Sequence, residues 1–260
     1  ISPDLSRHDS ITMLPSGGPI TKDNTGAEIY ADVFSFAESY VQQGVLWAGS
    51  DDGLIHVSVD DGKNWTDVTP KNLLADFSLI SIIEPSHISA GTVYVAANRY
   101  KLGDTKPYLL KSTDFGKTWE LITNGIAADD YTHCIREDKN RTGLLYCGTE
   151  RGIYISLDDG ENWQKFNQNL PCTPVRDIQI QQREHDLVIA THGRSFWVLD
   201  DLTPLYDSKF PLLKTAAYLF QPDTALRTAG GSYYDEKMQQ GQNAPNGVTV
   251  NYFLKNKMKR

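Results

Sequence analysis

The stretch Ser58-Val-Asp-Asp-Gly-Lys-Asn-Trp65 recurs twice, as Ser112-Thr-Asp-Phe-Gly-Lys-Thr-Trp119 and as Ser156-Leu-Asp-Asp-Gly-Glu-Asn-Trp163. All three copies follow the pattern Ser-x-Asp-x-Gly-x-x-Trp, and their first residues are 54 and 44 residues apart. Four fixed positions in three copies indicate a structural repeat. A repeat of this kind determines the architecture of the chain.

Each position of the motif has a structural explanation. The Ser hydroxyl and the Asp carboxylate can bond the backbone of a tight turn. Gly adopts backbone angles that other residues avoid, and Trp packs between strands as an apolar anchor. An acidic turn that binds calcium is the alternative, but no segment completes a calcium-loop pattern, so we predict no metal site and no cofactor. We interpret the following residues as structural: Ser58, Asp60, Gly62, Trp65, Ser112, Asp114, Gly116, Trp119, Ser156, Asp158, Gly160 and Trp163.

Each motif lies within a set of four short apolar stretches, two before it in sequence, one leading into it and one after its Trp. Four short strands in a unit of roughly 45–50 residues are typical of a β-propeller blade. We therefore predict an all-β propeller of four-stranded blades, with about four blades that form part of a larger propeller. The predicted blades span about residues 31–70, 78–123, 131–168 and 174–201.

The segments outside the blades do not have the four-strand pattern of the blades. Residues 1–30 are predicted to be an irregular lead-in that closes a preceding blade, and residues 202–260 an irregular extension followed by the start of a further β region. Within that extension, residues 216–220 read as an isolated strand and residues 248–254 as a strand without a partner. We interpret the chain as a fragment of a longer protein.

Composition excludes several classes of protein. The 260 residues carry a net charge of −8, which argues against nucleic acid or anionic membrane as the main partner. No apolar run approaches the roughly 20 residues of a membrane span. Three cysteines are too few for a disulfide scaffold. Cys134 and Cys147 lie on two apolar stretches that look like adjacent strands, so we predict buried free thiols, with a cross-strand contact as the alternative.

The repeated motif resembles the Asp boxes of bacterial neuraminidase repeats, which occur in sialidases, xyloglucan-active glycosidases and sortilin-type propellers. Longer phrases at residues 1–5, 17–24, 44–53 and 191–197 resemble secreted bacterial proteins described as sortilin-like or glycosyl-hydrolase-like. This resemblance extends over nearly the whole chain. It implies that the chain is the later half of a propeller continuing upstream of Ile1, with a β-sandwich-like region after the last blade. It also implies a secreted, periplasmic or cell-surface location.

Loops that join the second and third strands of each blade leave on one face of the propeller, together with the blade-to-blade connections. We call this the loop face; the Asp-box turns lie on the opposite, Asp-box face. Loops on a rigid scaffold are common ligand sites. The predicted ligand-binding residues are Asp51, Asp52, Arg99, Tyr100, Lys101, Glu150, Arg151, His192 and Arg194.

The alternative is that these residues are solvated turn positions and that Arg194 pairs with a carboxylate of a neighbouring blade. Phe196 and Trp197, which follow it, look buried. His56 and His133 lie on predicted strands and read as satisfied polar positions rather than as ligands or bases.

Two functions of different classes fit the sequence. The first is a non-catalytic module that binds a glycan or protein ligand and also contacts the rest of the same propeller or another chain. The second is part of a glycoside hydrolase, which needs two carboxyl groups about 5–5.5 Å or 6.5–9.5 Å apart. The catalytic candidates are Asp51, Asp52, Asp104 and Glu150. A structural subunit of a surface assembly is a further alternative, since open blade edges accept partners.

Overall fold

The computed structural model of the chain describes residues 2–9, 30–207, 215–222, 224 and 247–255. These residues are almost entirely β-structure, with a 3-10 turn at Tyr100–Leu102 and one short helix, α1, at Thr203–Tyr206. By its internal contacts the chain divides into two compact units, residues 1–179 with 189–197 and residues 180–188 with 198–260. In the described part of the chain no helix has the length and apolar character needed to cross a bilayer.

Three antiparallel sheets contain four strands each, and hydrogen-bonded neighbours follow chain order. Each sheet is one blade, and its fourth strand has only two residues. The all-β prediction and its four-stranded blades are confirmed. The strands are β1 (Val33–Glu38), β2 (Leu46–Ser50), β3 (Ile55–Ser58), β4 (Thr66–Asp67), β5 (Leu79–Pro85), β6 (Val93–Arg99), β7 (Asp104–Ser112), β8 (Glu120–Leu121), β9 (Thr132–Glu137), β10 (Leu145–Thr149), β11 (Gly152–Ser156) and β12 (Gln164–Lys165).

The fourth repeat forms a sheet of three strands, β13 (Val175–Gln181), β14 (Asp186–Thr191) and β15 (Phe196–Leu199). This sheet lacks a fourth strand among the described residues. The sequence explains the difference, because the unit has neither the Gly nor the closing Trp of the turn motif.

Two strands near the C-terminus pair with each other, which corrects two predictions. β16 (Ala217–Leu219) runs antiparallel to β17 (Tyr252–Leu254), so neither strand is isolated or without a partner. The sequence does not reveal this pairing, because the two strands are far apart along the chain and no short turn joins them. Most of the predicted irregular extension between them and most of the predicted lead-in fall outside the described residues.

The hydrophobic core lies between successive blades. Trp47 and Ile55 of the first blade and Ile80 and Val95 of the second belong to one buried cluster. Gly49 permits this packing, since a Cβ at that position would lie 2.4 Å from a methyl carbon of Ile80. Side chains alternate across each strand, so every inner blade contributes one apolar face to each neighbour.

The Asp-box turns have the same internal hydrogen bonds in all three copies. In the third copy the Ser156 hydroxyl donates to Asp158 over 2.8 Å and accepts the Gly160 N–H over 2.9 Å. The Asp158 carboxylate also accepts the Asn162 backbone N–H at 2.9 Å. These bonds satisfy the polar groups of a turn in which Gly160 has a φ of +89°.

In the second and third blades the tryptophan of the motif connects its blade to the one before it. The Trp119 indole N–H donates to the Val68 carbonyl at 2.8 Å, and that of Trp163 donates to the Ile122 carbonyl at 2.7 Å. Trp65, in the first blade, donates instead to Gly62 of its own turn at 3.1 Å.

Cys134 and Cys147 are buried free thiols, as predicted. The cross-strand alternative is wrong, because Cys134 lies opposite Gly148 and Cys147 opposite Ile135. Neighbouring register positions send their side chains to opposite faces of the sheet. Burial raises the pKa of Cys134 to about 12, which keeps this thiol protonated and unreactive.

Candidate ligand-binding face

A row of aromatic and histidine side chains lies on the loop face of the second and third blades. The rings of Tyr100 and Tyr131 are stacked, with centroids 5.0 Å apart and planes inclined by 17°. Tyr131 meets the His133 imidazole edge-on, again with centroids 5.0 Å apart. Tyr100 follows β6, and Tyr131 precedes β9, so a strand-two-to-three loop and a blade connection build the row together.

A β-bulge directs His133 into this site. The register of β9 on β10 places Cys134 opposite Gly148 and Thr132 opposite Thr149, which leaves His133 as the extra residue. Bulges redirect side chains and are frequent next to functional sites. The side chain of His133 is only 3% exposed.

The hydrogen bonds of His133 determine its tautomer. The Arg176 guanidinium lies 3.2 Å from its Nδ1, and Nε2 lies 2.9 Å from a carboxylate oxygen of Glu150. A guanidinium can only donate, so Nδ1 accepts and the proton is on Nε2, which donates to Glu150. Burial lowers the pKa of His133, and the neutral imidazole therefore joins a cation to an anion.

Glu150 is ionised. Burial acts to raise its pKa, but hydrogen bonds from His133 and Tyr131 outweigh that influence and the pKa is lowered. Burial together with the Glu150 carboxylate raises the pKa of Tyr131 to about 12. Tyr131 is therefore a neutral phenol that donates to Glu150, and the arrangement does not favour a tyrosinate nucleophile.

The other three candidate acids are also held by neighbours. Asp51 accepts the backbone N–H groups of Ala31 and Asp32 at 2.9 and 3.0 Å. Asp52 is 1% exposed and accepts the Ser50 hydroxyl and the Arg7 backbone N–H. The third acid, Asp104, pairs with Arg99 at 3.3 Å and accepts the Tyr108 hydroxyl at 2.7 Å.

The predicted cations divide into two groups. Arg99 is bound to Asp104, and Arg151 is bound to Asp129 at 2.8 Å. Lys101, His192 and Arg194 are exposed and form no ion pair among the described residues, so the expected pairing of Arg194 with a carboxylate is not observed.

The prediction that Phe196 is buried is wrong, since 76% of its surface is exposed. Trp197 is half-buried, and its indole N–H donates to the Arg194 carbonyl at 2.8 Å. The fourth blade lacks a fourth strand among the described residues. The sequence of β15 does not indicate which of its two faces the rest of the protein covers.

Two predicted residues, Tyr100 and Glu150, thus belong to one cluster. Asp52 is instead bound to the lead-in, and Asp51 to the residues directly before β1. Sequence reasoning missed Tyr131 and Arg176. It took His133 for a satisfied polar position, and both of its ring nitrogens are bonded, but it did not predict that His133 belongs to this cluster. Tyr131 could have been found from the sequence, because it lies in a blade connection and blade connections share a face with the strand-two-to-three loops. The described residues contain no group of three or more His, Cys, Asp or Glu side chains arranged to hold a metal ion.

We expect His133 to make the fold less stable in acid. Its folded-state pKa lies below the ordinary 6.5, so the unfolded chain takes up a proton first as the pH falls. The stability due to the neutral imidazole is present above pH 6.5 and is lost below it, by about 1.4 kcal/mol per unit of pKa difference. Thermal unfolding at pH 8 and pH 5 should show a smaller difference in Tm for His133→Gln than for the wild type.

The His56 imidazole, whose pKa is also lowered by burial, remains in this variant and accounts for part of the residual pH dependence. An unchanged difference in Tm between the two pH values in His133→Gln would contradict the assignment of a neutral, buried His133.

Comparison with known proteins supports the fold at two levels. The family model for the BNR/Asp-box repeat matches residues 110–121, which contain the second turn motif. Among solved structures the chain is similar to the GH74 enzyme of Niastella koreensis, with a TM-score of 0.51 and 16% identity over 65% of this chain and 28% of that one. The GH74 xyloglucanase of Xanthomonas campestris gives a TM-score of 0.51 and 16% identity over 65% and 29% of the two chains.

A structure of YCF48 bound to a D1 peptide is also similar, with a TM-score of 0.48 and 16% identity over 64% of this chain and 50% of that one. The chain thus spans about half the length of YCF48 and less than a third of the two GH74 enzymes. No curated protein matches its sequence. Taken with the four-stranded sheets and the shared geometry of the turns, the repeat match and the two GH74 structures show that the chain has a β-propeller fold with BNR/Asp-box turns.

Proposed function

We propose that this chain is a binding module of a secreted or envelope-associated bacterial protein, and that it holds a glycan or protein ligand on its loop face without cleaving it. The observation that carries the proposal is the contiguous row from Tyr100 through Tyr131 and His133 to Arg176. It combines a flat aromatic surface with an oriented cation, and such a combination suits recognition.

The state of the carboxylates favours binding over hydrolysis. A glycoside hydrolase needs one acid that can give up a proton and a second carboxylate across the same bond. Asp51 and Asp52 are occupied in holding backbone N–H groups, and Asp104 is paired with Arg99. Glu150 is the one candidate beside the aromatic row, and its lowered pKa suits an ion rather than a general acid. A hydrolase remains the alternative, since the structural neighbours include GH74 enzymes.

Binding should depend on Tyr100. We expect Tyr100→Ala to weaken binding about tenfold, equivalent to about 1.4 kcal/mol, because one ring of the stacked pair is lost. The probes are a neutral xyloglucan oligosaccharide, an oligogalacturonide and an aspartate-rich peptide, each titrated by calorimetry. The matched control is Tyr40→Ala, which removes a 59% exposed tyrosine from the loop between β1 and β2, on the Asp-box face.

Equal effects of the two substitutions, or no binding of any probe by the wild type, would contradict the proposed site. Release of reducing ends from either oligosaccharide would instead favour the hydrolase.

The first blade supports a second function, the docking of a further blade. Phe36 is 60% exposed, whereas the equivalent residues Ile83 and Ile135 of the next two blades are 3% and 0% exposed. Trp65 on the same blade bonds only its own turn. We propose that this face accepts a blade of the same propeller or of another chain, and Phe36→Ser should then reduce self-association of the isolated chain in sedimentation. Unchanged sedimentation would count against a docking role for Phe36.

A further inference from the structure

Arg176 differs from the other arginines of the loop face in what it bonds. Arg99 and Arg151 are each paired with a carboxylate. Arg176 is exposed, donates to the neutral imidazole of His133 at 3.2 Å, and forms no ion pair among the described residues. A guanidinium has five N–H donors, so most of those of Arg176 are available to a ligand.

Glu150, the carboxylate of this cluster, forms no ion pair with Arg176, although the Arg176 charge helps to lower the pKa of Glu150. Glu150 accepts hydrogen bonds from Nε2 of the His133 imidazole and from the Tyr131 hydroxyl. The His133 ring separates Glu150 from Arg176, because each of its two nitrogens bonds one of them. Arg176 therefore offers an anion a guanidinium that pairs with no carboxylate among the described residues, although the chain as a whole carries a net charge of −8.

Tyr100 and Tyr131 provide a rigid flat surface at the other end of the row. Tyr131 is held by its hydrogen bond to Glu150 and by its contact with His133, and Tyr100 is stacked on it. A surface fixed in this way loses little conformational entropy when a ligand binds.

We propose that the ligand is an acidic oligosaccharide, in which one sugar ring packs on Tyr100 and the carboxylate of another residue of the same glycan binds Arg176. The inference rests on the proposed function of the loop face and specifies its ligand class. An oligouronide carries on every residue a sugar ring with an apolar face and a carboxylate, which matches an aromatic surface and a guanidinium at the two ends of one row. An acidic peptide holds its carboxylates on flexible stems and matches this geometry less well. Guanidinium and carboxylate form bidentate hydrogen bonds, so arginine suits this role.

The test uses two forms of one probe. Oligogalacturonide and its fully methyl-esterified form have the same backbone and differ in charge, and each is titrated into the whole chain by calorimetry. We expect the acid form to bind at least tenfold more tightly than the ester. Arg176→Gln should weaken binding of the acid form by at least tenfold and leave the ester unaffected, and Arg176→Lys should restore part of the loss.

The matched control is Arg183→Gln. Arg183 lies in the turn at the far end of β13 from Arg176 and is 83% exposed beside Glu184. This substitution should change affinity less than twofold, and Tm values for all variants show whether Arg176→Gln preserves the fold.

Equal binding of acid and ester, insensitive to Arg176→Gln but sensitive to Tyr100→Ala, would overturn the acidic ligand and leave the proposed function intact. Binding of the aspartate-rich peptide alone would replace the glycan by a protein partner. Failure of every probe to bind in a Tyr100-dependent way would overturn both the inference and the proposed function.

Discussion

Trp163→Ala is expected to lower the free energy of unfolding by about 3–5 kcal/mol. Trp163 is 4% exposed and belongs to the buried cluster between the second and third blades. Its indole N–H donates to the Ile122 carbonyl at 2.7 Å, so the substitution leaves both a cavity and an unpaired carbonyl. Urea denaturation of the wild type and the variant measures the loss.

The repeat supplies its own control for this prediction. Trp65 occupies the same motif position but is half-buried and bonds only its own turn. Trp65→Ala should cost about 1 kcal/mol, because little surface is returned to water. Equal losses in the two variants would contradict the account of the tryptophan as a connector to the preceding blade. Equal losses would also count against the proposal that the first blade has an exposed face for a further blade.

Gly125→Ala should destabilise the same interface by about 2–5 kcal/mol. Gly125 has a φ of +96°, which costs an L-residue about 1–2 kcal/mol. A Cβ there would lie 2.1 Å from the Trp163 carbonyl oxygen, and overpacking of this kind adds about 1–3 kcal/mol. Since the contact is with backbone, the chain itself must shift. Chemical denaturation compares the variant with the wild type.

Gly103→Ala separates the cost of the backbone conformation from the cost of overpacking. Gly103 also has a positive φ, +77°, but a Cβ there would meet nothing within 4 Å. This variant should lose about 1 kcal/mol. If Gly103→Ala proved as damaging as Gly125→Ala, backbone conformation alone would explain the effect and the close approach to Trp163 would not matter.

The sequence was sufficient to predict the blades because their determinants are local. A turn motif with fixed Ser, Asp, Gly and Trp positions is followed and preceded by short apolar strands, and both signals lie within a few tens of residues. The pairing of β16 with β17 was not predictable in this way. It joins residues 217–219 to residues 252–254, and no turn signal brings them together.

The candidate site was only partly predictable for a similar reason. Loop position identified Tyr100 and Glu150, but Tyr131 enters the cluster through a blade connection, Arg176 from the start of β13 and His133 through a bulge. A bulge shifts side chains by one register position, which sequence alternation does not reveal. The acids posed a different problem. Their residue types were visible, but the bonds that hold Asp51 and Asp52 depend on distant backbone.

Backbone hydrogen exchange, with and without oligogalacturonide, tests the central claim that ligand binds the loop face. The account predicts slower exchange at residues 99–102, 130–133 and 149–152, and a smaller slowing in Tyr100→Ala when both proteins are compared at a ligand concentration near the wild-type Kd. Protection confined to the Asp-box turns, or to the groove between residues 66–72 and 116–119, would contradict it.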